Sequence, residues 1–239
     1  MEFLHTHGSK IVDSQGKSVY LRGLSVGGWM NMENFINGYP GTEVSLREHM
    51  RNTLGEERGE RFFDSMLDNF FNEEDIAFLA SIGVNTVRLA INYRHFEDDE
   101  NPFVYKEKGF ARLKHIVDAC DRHGVYAIFD MHAIQGWQNT HWHSDNDGGI
   151  SLLWTDACYQ KRYYALMREI ALRFRDCAAV AGYELMNEPS SNCRSGDYPF
   201  NMYENFKSDY ARFNKVIHQA VDSIREVDPH HIIFIEGDS

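Results

Sequence analysis

Strand-like and helix-like segments alternate along this chain, and this order restricts its fold more than any other feature. Five short apolar runs are typical of buried strands, and longer segments with helical periodicity lie between them. The runs cover residues 21–27, 84–91, 125–131, 180–186 and 231–236. Crossovers of this length join parallel strands, because antiparallel neighbours need only a tight turn. We therefore predict an α/β fold with a parallel sheet.

The helical segments have clear apolar stripes and recognisable ends. Helices are predicted at residues 60–71, 73–82, 109–123, 158–174 and 203–227. In the third of these, the stripe consists of Phe110, Leu113, Ile116, Val117 and Cys120. In the last helix, we expect burial of Phe206, Tyr210, Phe213, Ile217, Ala220 and Ile224. A small hairpin is predicted at residues 11–21, with its turn at residues 13–16.

Two architectures have this alternation, and the position of the polar residues favours one of them. A doubly wound nucleotide-binding sheet is disfavoured because the chain contains neither GxGxxG nor GxxxxGK[ST]. Polar residues instead follow the carboxyl ends of the strands, where barrel enzymes carry their chemistry. We predict a (β/α)8 TIM barrel, of which this chain supplies the first five βα units. The predicted domain is single, spans residues 1–239 and is C-terminally truncated.

Charge and hydropathy exclude several classes of partner. The net charge of −12 disfavours nucleic acid and anionic membrane surfaces, which require clustered Lys and Arg. No apolar run approaches the roughly 20 residues of a membrane span. The first residues lack the pattern of a signal peptide, which leaves open a cytoplasmic protein or a secreted one whose leader was removed. Two sheet edges would be open in a five-stranded unit, so we expect self-association.

The tripeptide Asn187-Glu188-Pro189 follows the fourth strand and carries the strongest sign of chemistry. A carboxylate at this position points into the cleft of a barrel, where burial can raise its pKa enough for general acid catalysis. Asn187 can donate a hydrogen bond to a substrate hydroxyl. A turn with an exposed glutamate would have the same sequence, so the tripeptide alone does not decide between these readings.

Charged residues inside the second and third strands point to the same cleft. Arg88 alternates with apolar neighbours, so it faces the barrel lumen and needs a carboxylate partner there. Asp130 is on the next strand and could pair with it, and His132 could bind a sugar hydroxyl or a catalytic carboxylate. A purely structural ion pair and a structural histidine remain the alternatives. Glu236 ends the fifth strand as a further cleft carboxylate.

Residues 135–146 form a loop in which Trp137 and Trp142 lie among hydrogen-bonding side chains. Indole rings beside polar groups suit the apolar faces and hydroxyl rims of sugars. His141 and His143 from the same loop raise the alternative of a metal site, together with His132. No further ligand occurs at a typical spacing, so we predict neither a metal nor a cofactor.

Several stretches, in the same order along the chain, resemble glycoside hydrolase family 5, the cellulase family of barrel glycosidases. The matching stretches are residues 21–24, 27–29, 83–89, 130–132, 182–189 and 232–237. The resemblance implies that Glu188 is the acid/base, that Asn187 contacts the sugar 2-hydroxyl and that Arg88 supports the nucleophile. It also places His132 in the sugar site. With it, we assign substrate contacts to Trp29, Trp137, Trp142 and Asp130.

The resemblance implies a retaining hydrolase that acts on β-linked glucans or β-glucosides, as a cellulase-like endo-β-glucanase does, with an oligo- or polysaccharide substrate. Members of the family carry the nucleophile on the seventh strand, and this chain has five strands, so we name no nucleophile and expect the isolated chain to be inactive. Two alternatives remain. One is a non-catalytic carbohydrate-binding remnant of the same fold, and the other is a metal-dependent barrel hydrolase.

Overall fold

A computed structural model describes residues 1–192 and 208–238. Two short strands, β1 (His5–His7) and β2 (Lys10–Val12), form an antiparallel pair. Five parallel strands then form one sheet in chain order: β3 (Gly23–Met30), β4 (Thr86–Asn92), β5 (Tyr126–Ala133), β6 (Val180–Glu184) and β7 (Ile232–Phe234). Consecutive parallel neighbours are the arrangement expected of adjacent βα units in a barrel wall.

The helices are α1 (Asn34–Asn37), α2 (Glu43–Leu54), α3 (Glu56–Phe70), α4 (Glu73–Ser81), α5 (Glu107–His123), α6 (Ala157–Phe174) and α7 (Tyr210–Arg225). Helix α2 was not predicted, and a capping box between Thr42 and Ser45 starts it. Within the described part of the chain, no helix is long and apolar enough to cross a bilayer. The predicted start of the last helix, with Phe206, lies outside the described residues.

The main hydrophobic core lies between the sheet and the helices. Val87, Leu89 and Ile91 of β4 face this layer and are fully buried, as the alternation of the strand predicts. The predicted stripe of α5 is buried against them. In α7, Phe213, Ile217, Ala220 and Ile224 are buried, but the prediction for Tyr210 was wrong. Tyr210 is the first residue of the helix and is 66% exposed.

A second, smaller apolar cluster fills the amino-terminal end of the sheet on its inner face. Leu4, which precedes β1, is 2% exposed and packs with Ala181 and Ile232. The hairpin predicted at residues 11–21 is present in short form. Its turn is closed by a hydrogen bond from Gly16 N to Asp13 O, its two sides are joined from Val19 N to Ile11 O, and Val12 bridges Ser18, while the regular strand pairing is that of β1 and β2. This segment covers the end of the sheet opposite the strand carboxyl ends, so the carboxyl ends are the side where polar residues can meet a ligand.

The two edges of the sheet are β3 and β7, and we propose that this 239-residue chain self-associates through them. Unpaired edge strands present free backbone donors and acceptors to another chain. Leu24 on β3 is 43% exposed and Ile235 beyond β7 is 53% exposed, which adds apolar surface at both edges. Light scattering of the purified chain should detect dimers or larger species, and the variant Leu24→Lys should decrease them. A stable monomer at every concentration would contradict this proposal.

Candidate active site

Arg88 lies at the centre of a polar cluster at the carboxyl ends of the strands. Its guanidinium donates from Nε and Nη2 to the two carboxylate oxygens of Glu184, at 2.7 and 2.5 Å. Nη1 lies 3.1 Å from Asp130 Oδ2, and Nη2 also donates to Asn187 Oδ1 at 2.9 Å and to Glu236 Oε1 at 3.3 Å. The pairing with Asp130 was predicted. The bidentate pairing with Glu184 was not.

Glu184 and Glu236 form an unequal carboxyl pair beside this guanidinium. Burial would raise the pKa of Glu184, but the hydrogen bonds from Arg88 outweigh it and lower the pKa. Burial, together with the hydrogen bond to Glu184, raises the pKa of Glu236 to about 7. Ionisation of one carboxyl group disfavours ionisation of its neighbour, so Glu236 takes up a proton before Glu184 does as the pH falls.

Asp130 connects Arg88 to His132. Its side chain is completely buried, and Oδ2 lies 2.6 Å from Nδ1 of His132. Burial disfavours the charged imidazole, but Asp130 outweighs this effect and raises the pKa of His132. The predicted substrate contact for Asp130 was wrong, because a buried carboxylate pairs with nearby cations and has no surface open to a sugar. Asp130 orients the two side chains that can reach the cleft.

Glu188 is held by its backbone, while its side chain extends into the open cleft. The residue has φ 45°, in the left-handed region. Its N–H donates to Glu236 Oε2 at 2.6 Å, and its carbonyl accepts from Asn139 Nδ2 at 2.8 Å. The carboxylate is 60% exposed and lies 3.2 Å from Nε2 of His143. Neighbouring side chains therefore hold both the backbone N–H and the backbone carbonyl of Glu188.

The pKa of Glu188 is lowered, mainly through the hydrogen bond with His143, and burial opposes this only in part. The sequence had predicted a buried side chain with a raised pKa, and both parts of that prediction were wrong for the five-stranded unit. The Glu188 side chain is 60% exposed, so water reaches its carboxylate. No carboxylate among the described residues lies close enough to Glu188 to reverse the effect of the imidazole.

Asn187 is 5% exposed and is oriented from both sides. Its backbone N–H donates to Met131 O at 3.2 Å, and its backbone carbonyl accepts from Gln138 Nε2 at 2.9 Å. Because Arg88 donates to the side-chain oxygen, Nδ2 is the atom through which Asn187 can donate a hydrogen bond to a ligand. This arrangement is compatible with the role predicted for it.

The three predicted tryptophan contacts have different outcomes. Trp29 is 1% exposed and donates from Nε1 to Leu67 O at 2.8 Å, so its assignment to the substrate was wrong. The reason is local: Gly28 has φ 78°, and the register of β3 against β4 shifts between Val26 and Met30. This irregularity turns the indole toward α3.

The other two tryptophans belong to the loop at residues 134–154. Trp137 is half-buried, and its Nε1 donates to Asp145 O at 2.9 Å inside the loop. Trp142 is also half-buried. The centroid of its ring lies 5.5 Å from that of His143 and 5.6 Å from that of the exposed Phe35, in edge-on contacts. Trp142 is thus the tryptophan that lies next to the residues around Glu188.

Asp145 anchors this loop to the rest of the structure. Its buried carboxylate accepts hydrogen bonds from Val44 N at 2.8 Å, from Asn92 Nδ2 at 3.0 Å and from Arg94 Nε at 2.9 Å. Burial, and then the nearby carboxylate of Glu43, raise the pKa of Asp145 to about 6. Nothing in the sequence pattern had singled out this network, which ties the loop to α2 and β4.

The three histidines considered as metal ligands pack against one another through their imidazole rings. The centroid of His143 is 5.6 Å from that of His132 and 5.1 Å from that of His141. Across residues 1–192 and 208–238, no group of three or more His, Cys, Asp or Glu side chains is arranged to hold a metal ion.

A family model matches most of the chain. The model for "Cellulase (glycosyl hydrolase family 5)" matches residues 55–239. The chain belongs to glycosyl hydrolase family 5. The matched region of this family 5 chain includes Arg88, His132, Asn187 and Glu188, the four residues to which the resemblance assigns roles at the active site.

Curated relatives of the family 5 chain are glycosidases. A β-xylosidase of Phanerodontia chrysosporium is 42% identical over the whole chain, which covers 47% of that protein. Endoglucanase C of Acetivibrio thermocellus is 26% identical over 91% of the chain and 49% of its own length. The chain spans about half the length of these curated relatives.

Solved structures share the fold. A rutinosidase from Aspergillus niger has a TM-score of 0.75 at 20% identity, and the match covers 91% of this chain and 62% of that one. A β-glucanase from Saccharophagus degradans in complex with cellotetraose has a TM-score of 0.61 at 19% identity, with coverage of 100% and 55%. The prediction of a partial TIM barrel is confirmed by these matches and by the strand order.

Proposed function

We propose that this protein hydrolyses β-glycosidic bonds with retention of configuration, and that Glu188 is the acid/base. The observation that carries the proposal is the Arg88 cluster, which holds Asn187 and the backbone of Glu188 at the strand ends of a family 5 chain. In the first step, Glu188 protonates the leaving oxygen. In the second, its carboxylate takes a proton from the water that releases the sugar.

The mechanism requires a second carboxylate about 5–5.5 Å from the first, on the opposite side of the scissile bond. We assign this nucleophile to none of the carboxylates of the five described strands. A carboxylate at that distance would also raise the pKa of Glu188 by like-charge repulsion, which general acid catalysis needs. The 239 residues alone are therefore expected to show little or no hydrolysis, and activity should be measured in a form that includes the remaining barrel strands.

We propose β-linked glucans or β-glucosides as the substrates, with endo-β-glucanase activity. Trp142 and the exposed Phe35 offer apolar ring faces beside the cleft, which suit the faces of pyranose rings. β-Xylosides are the second candidate, because the relative that is 42% identical is named a β-xylosidase. The two sugars differ by the hydroxymethyl group of glucose, so a pocket that admits this group accepts both, and a closed pocket accepts xylose only.

Hydrolysis of aryl β-glucosides, aryl β-xylosides and cello-oligosaccharides, followed by NMR, tests this proposal. We expect cello-oligosaccharides to be cleaved and the β anomer to appear first. An α anomer as the first product would contradict the double-displacement mechanism. Binding of cello-oligosaccharides with no hydrolysis of any substrate would favour the carbohydrate-binding remnant, and loss of activity in a chelator would favour the metal-dependent alternative.

A further inference from the structure

We infer that His143 is a positioning residue for Glu188, one that holds its carboxylate in the cleft and favours the ionised form. The inference rests on the proposed function, because it assigns His143 a part in preparing the acid/base. His143 belongs to the loop after β5 and is 7% exposed. Its Nε2 lies 3.2 Å from Glu188 Oε2.

The imidazole has no competing partner. Apart from the carboxylate of Glu188, neither ring nitrogen of His143 has a hydrogen-bond partner among the described residues. A buried polar atom without a partner is costly, and the approach of Nε2 to Glu188 Oε2 at 3.2 Å is the one polar contact of the ring among the described residues.

The loop holds His143 in place from several sides. Its backbone carbonyl accepts from Asn31 Nδ2 at 3.1 Å, and the ring of Trp142 packs edge-on against it at an interplanar angle of 89°. Asp145, two residues later, is tied to β4 and α2 by the three hydrogen bonds described above. The supports of His143 are therefore buried or half-buried, and they hold its backbone beside Glu188.

The same loop also fixes the backbone of Glu188 through Asn139. The charged groups around the Glu188 carboxylate are His143 at hydrogen-bonding distance, and then His132 and His141 at longer range, while Glu236 contacts the backbone N–H. Among them, His143 makes the largest contribution to the low pKa of Glu188. An N–H that donates to a carboxylate stabilises the charged form, which is the form that accepts a proton from water in the second step.

An NMR titration of the Glu188 carboxyl carbon in the 239-residue chain tests this inference without any need for hydrolysis. The signal can be assigned through its loss in the variant Glu188→Gln. In the variant His143→Phe, which keeps a ring but has no donor, we expect the pKa of Glu188 to rise by roughly one unit. The variant His143→Gln keeps an N–H donor and should restore part of the shift. His141→Phe is the matched control and should produce a smaller shift.

Two further measurements separate positioning from a general structural effect. In the unmodified chain, the NMR signals of the His143 ring nitrogens should shift as Glu188 titrates. The variant Glu188→Gln should remove this shift. In a form that hydrolyses substrate, His143→Phe should shift the fall of kcat/KM at high pH to a higher pH, because Glu188 must be protonated in the first step. A merely structural role would lower activity equally at all pH values. The ring-nitrogen measurement needs no variant at His143, so it stands even if His143→Phe does not fold.

The inference is overturned if the pKa of Glu188 is the same in the folded variant His143→Phe as in the parent chain, or if the His143 ring does not sense Glu188. Failure of the proposed function gives a different pattern. In that case the titration shifts appear as expected, but no β-glycoside is hydrolysed by any form of the protein. The two ideas can therefore fail independently.

Discussion

Replacing Glu188 with glutamine is expected to decrease kcat/KM for β-glycosides with poor leaving groups by about 10²–10⁴-fold, the usual contribution of general acid–base catalysis. Glutamine has nearly the same shape and can still accept a hydrogen bond, but it cannot deliver a proton to the leaving oxygen. The loss should be smaller for an aryl glycoside with an acidic phenol, because that leaving group needs no proton. Hydrolysis of both substrate types, in a form with the remaining barrel strands, measures the difference.

Azide provides a second test of the role of Glu188. This small anion attacks without the help of a base, so it should restore turnover of the activated aryl glycoside by Glu188→Gln and form the β-glycosyl azide. The control is Glu226→Gln, a surface glutamate with a 62% exposed side chain paired to Arg168, which should leave kcat/KM unchanged. Equal losses for both substrate types, with no rescue by azide, would show that Glu188 is not the acid/base.

The variant Arg88→Met is expected to lower the free energy of unfolding at pH 7 by about 3 kcal/mol, near the lower end of the range for removing one partner of a buried ion pair. Methionine fills much of the same volume but leaves Glu184 without its cation and Asp130 with His132 alone. The side chain of Arg88 is 24% exposed, so water offsets part of the loss. Urea unfolding of the chain, followed by circular dichroism, measures the change.

The destabilisation by Arg88→Met should depend on pH in a definite direction. Arg88 lowers the pKa of Glu184, so its stabilising effect is present above the unfolded-state pKa of about 4.3 and is lost as pH falls through the folded-state value. The difference in free energy of unfolding between the parent chain and the variant should therefore be largest above about pH 5 and should decrease in acid. Arg122→Met is the control, since Arg122 and Glu73 form an exposed surface pair. An equal effect of both variants would refute a central role for Arg88.

Residues in regular elements were predictable because their position follows from strand alternation and parallel topology. Arg88 had to face the lumen, and Asp130 had to lie beside it, because β4 and β5 are consecutive parallel strands. Glu184 could have been found by the same reasoning: it pairs in register with Asp130 and interrupts an otherwise apolar strand. Trp29 could not be placed, since the irregular backbone at Gly28 reverses the expected alternation.

The sequence by itself determined the parallel α/β architecture, the faces of the regular strands and the identity of the residues at the strand ends, because these depend on local periodicity and chain order. Only the tertiary structure decided which loop residue would meet Glu188. The contact with His143 joins two segments whose relative position depends on the buried hydrogen bonds of Asp145 and Asn139. Such long-range contacts leave no periodic trace in the chain, and they set the electrostatic environment of the carboxylate.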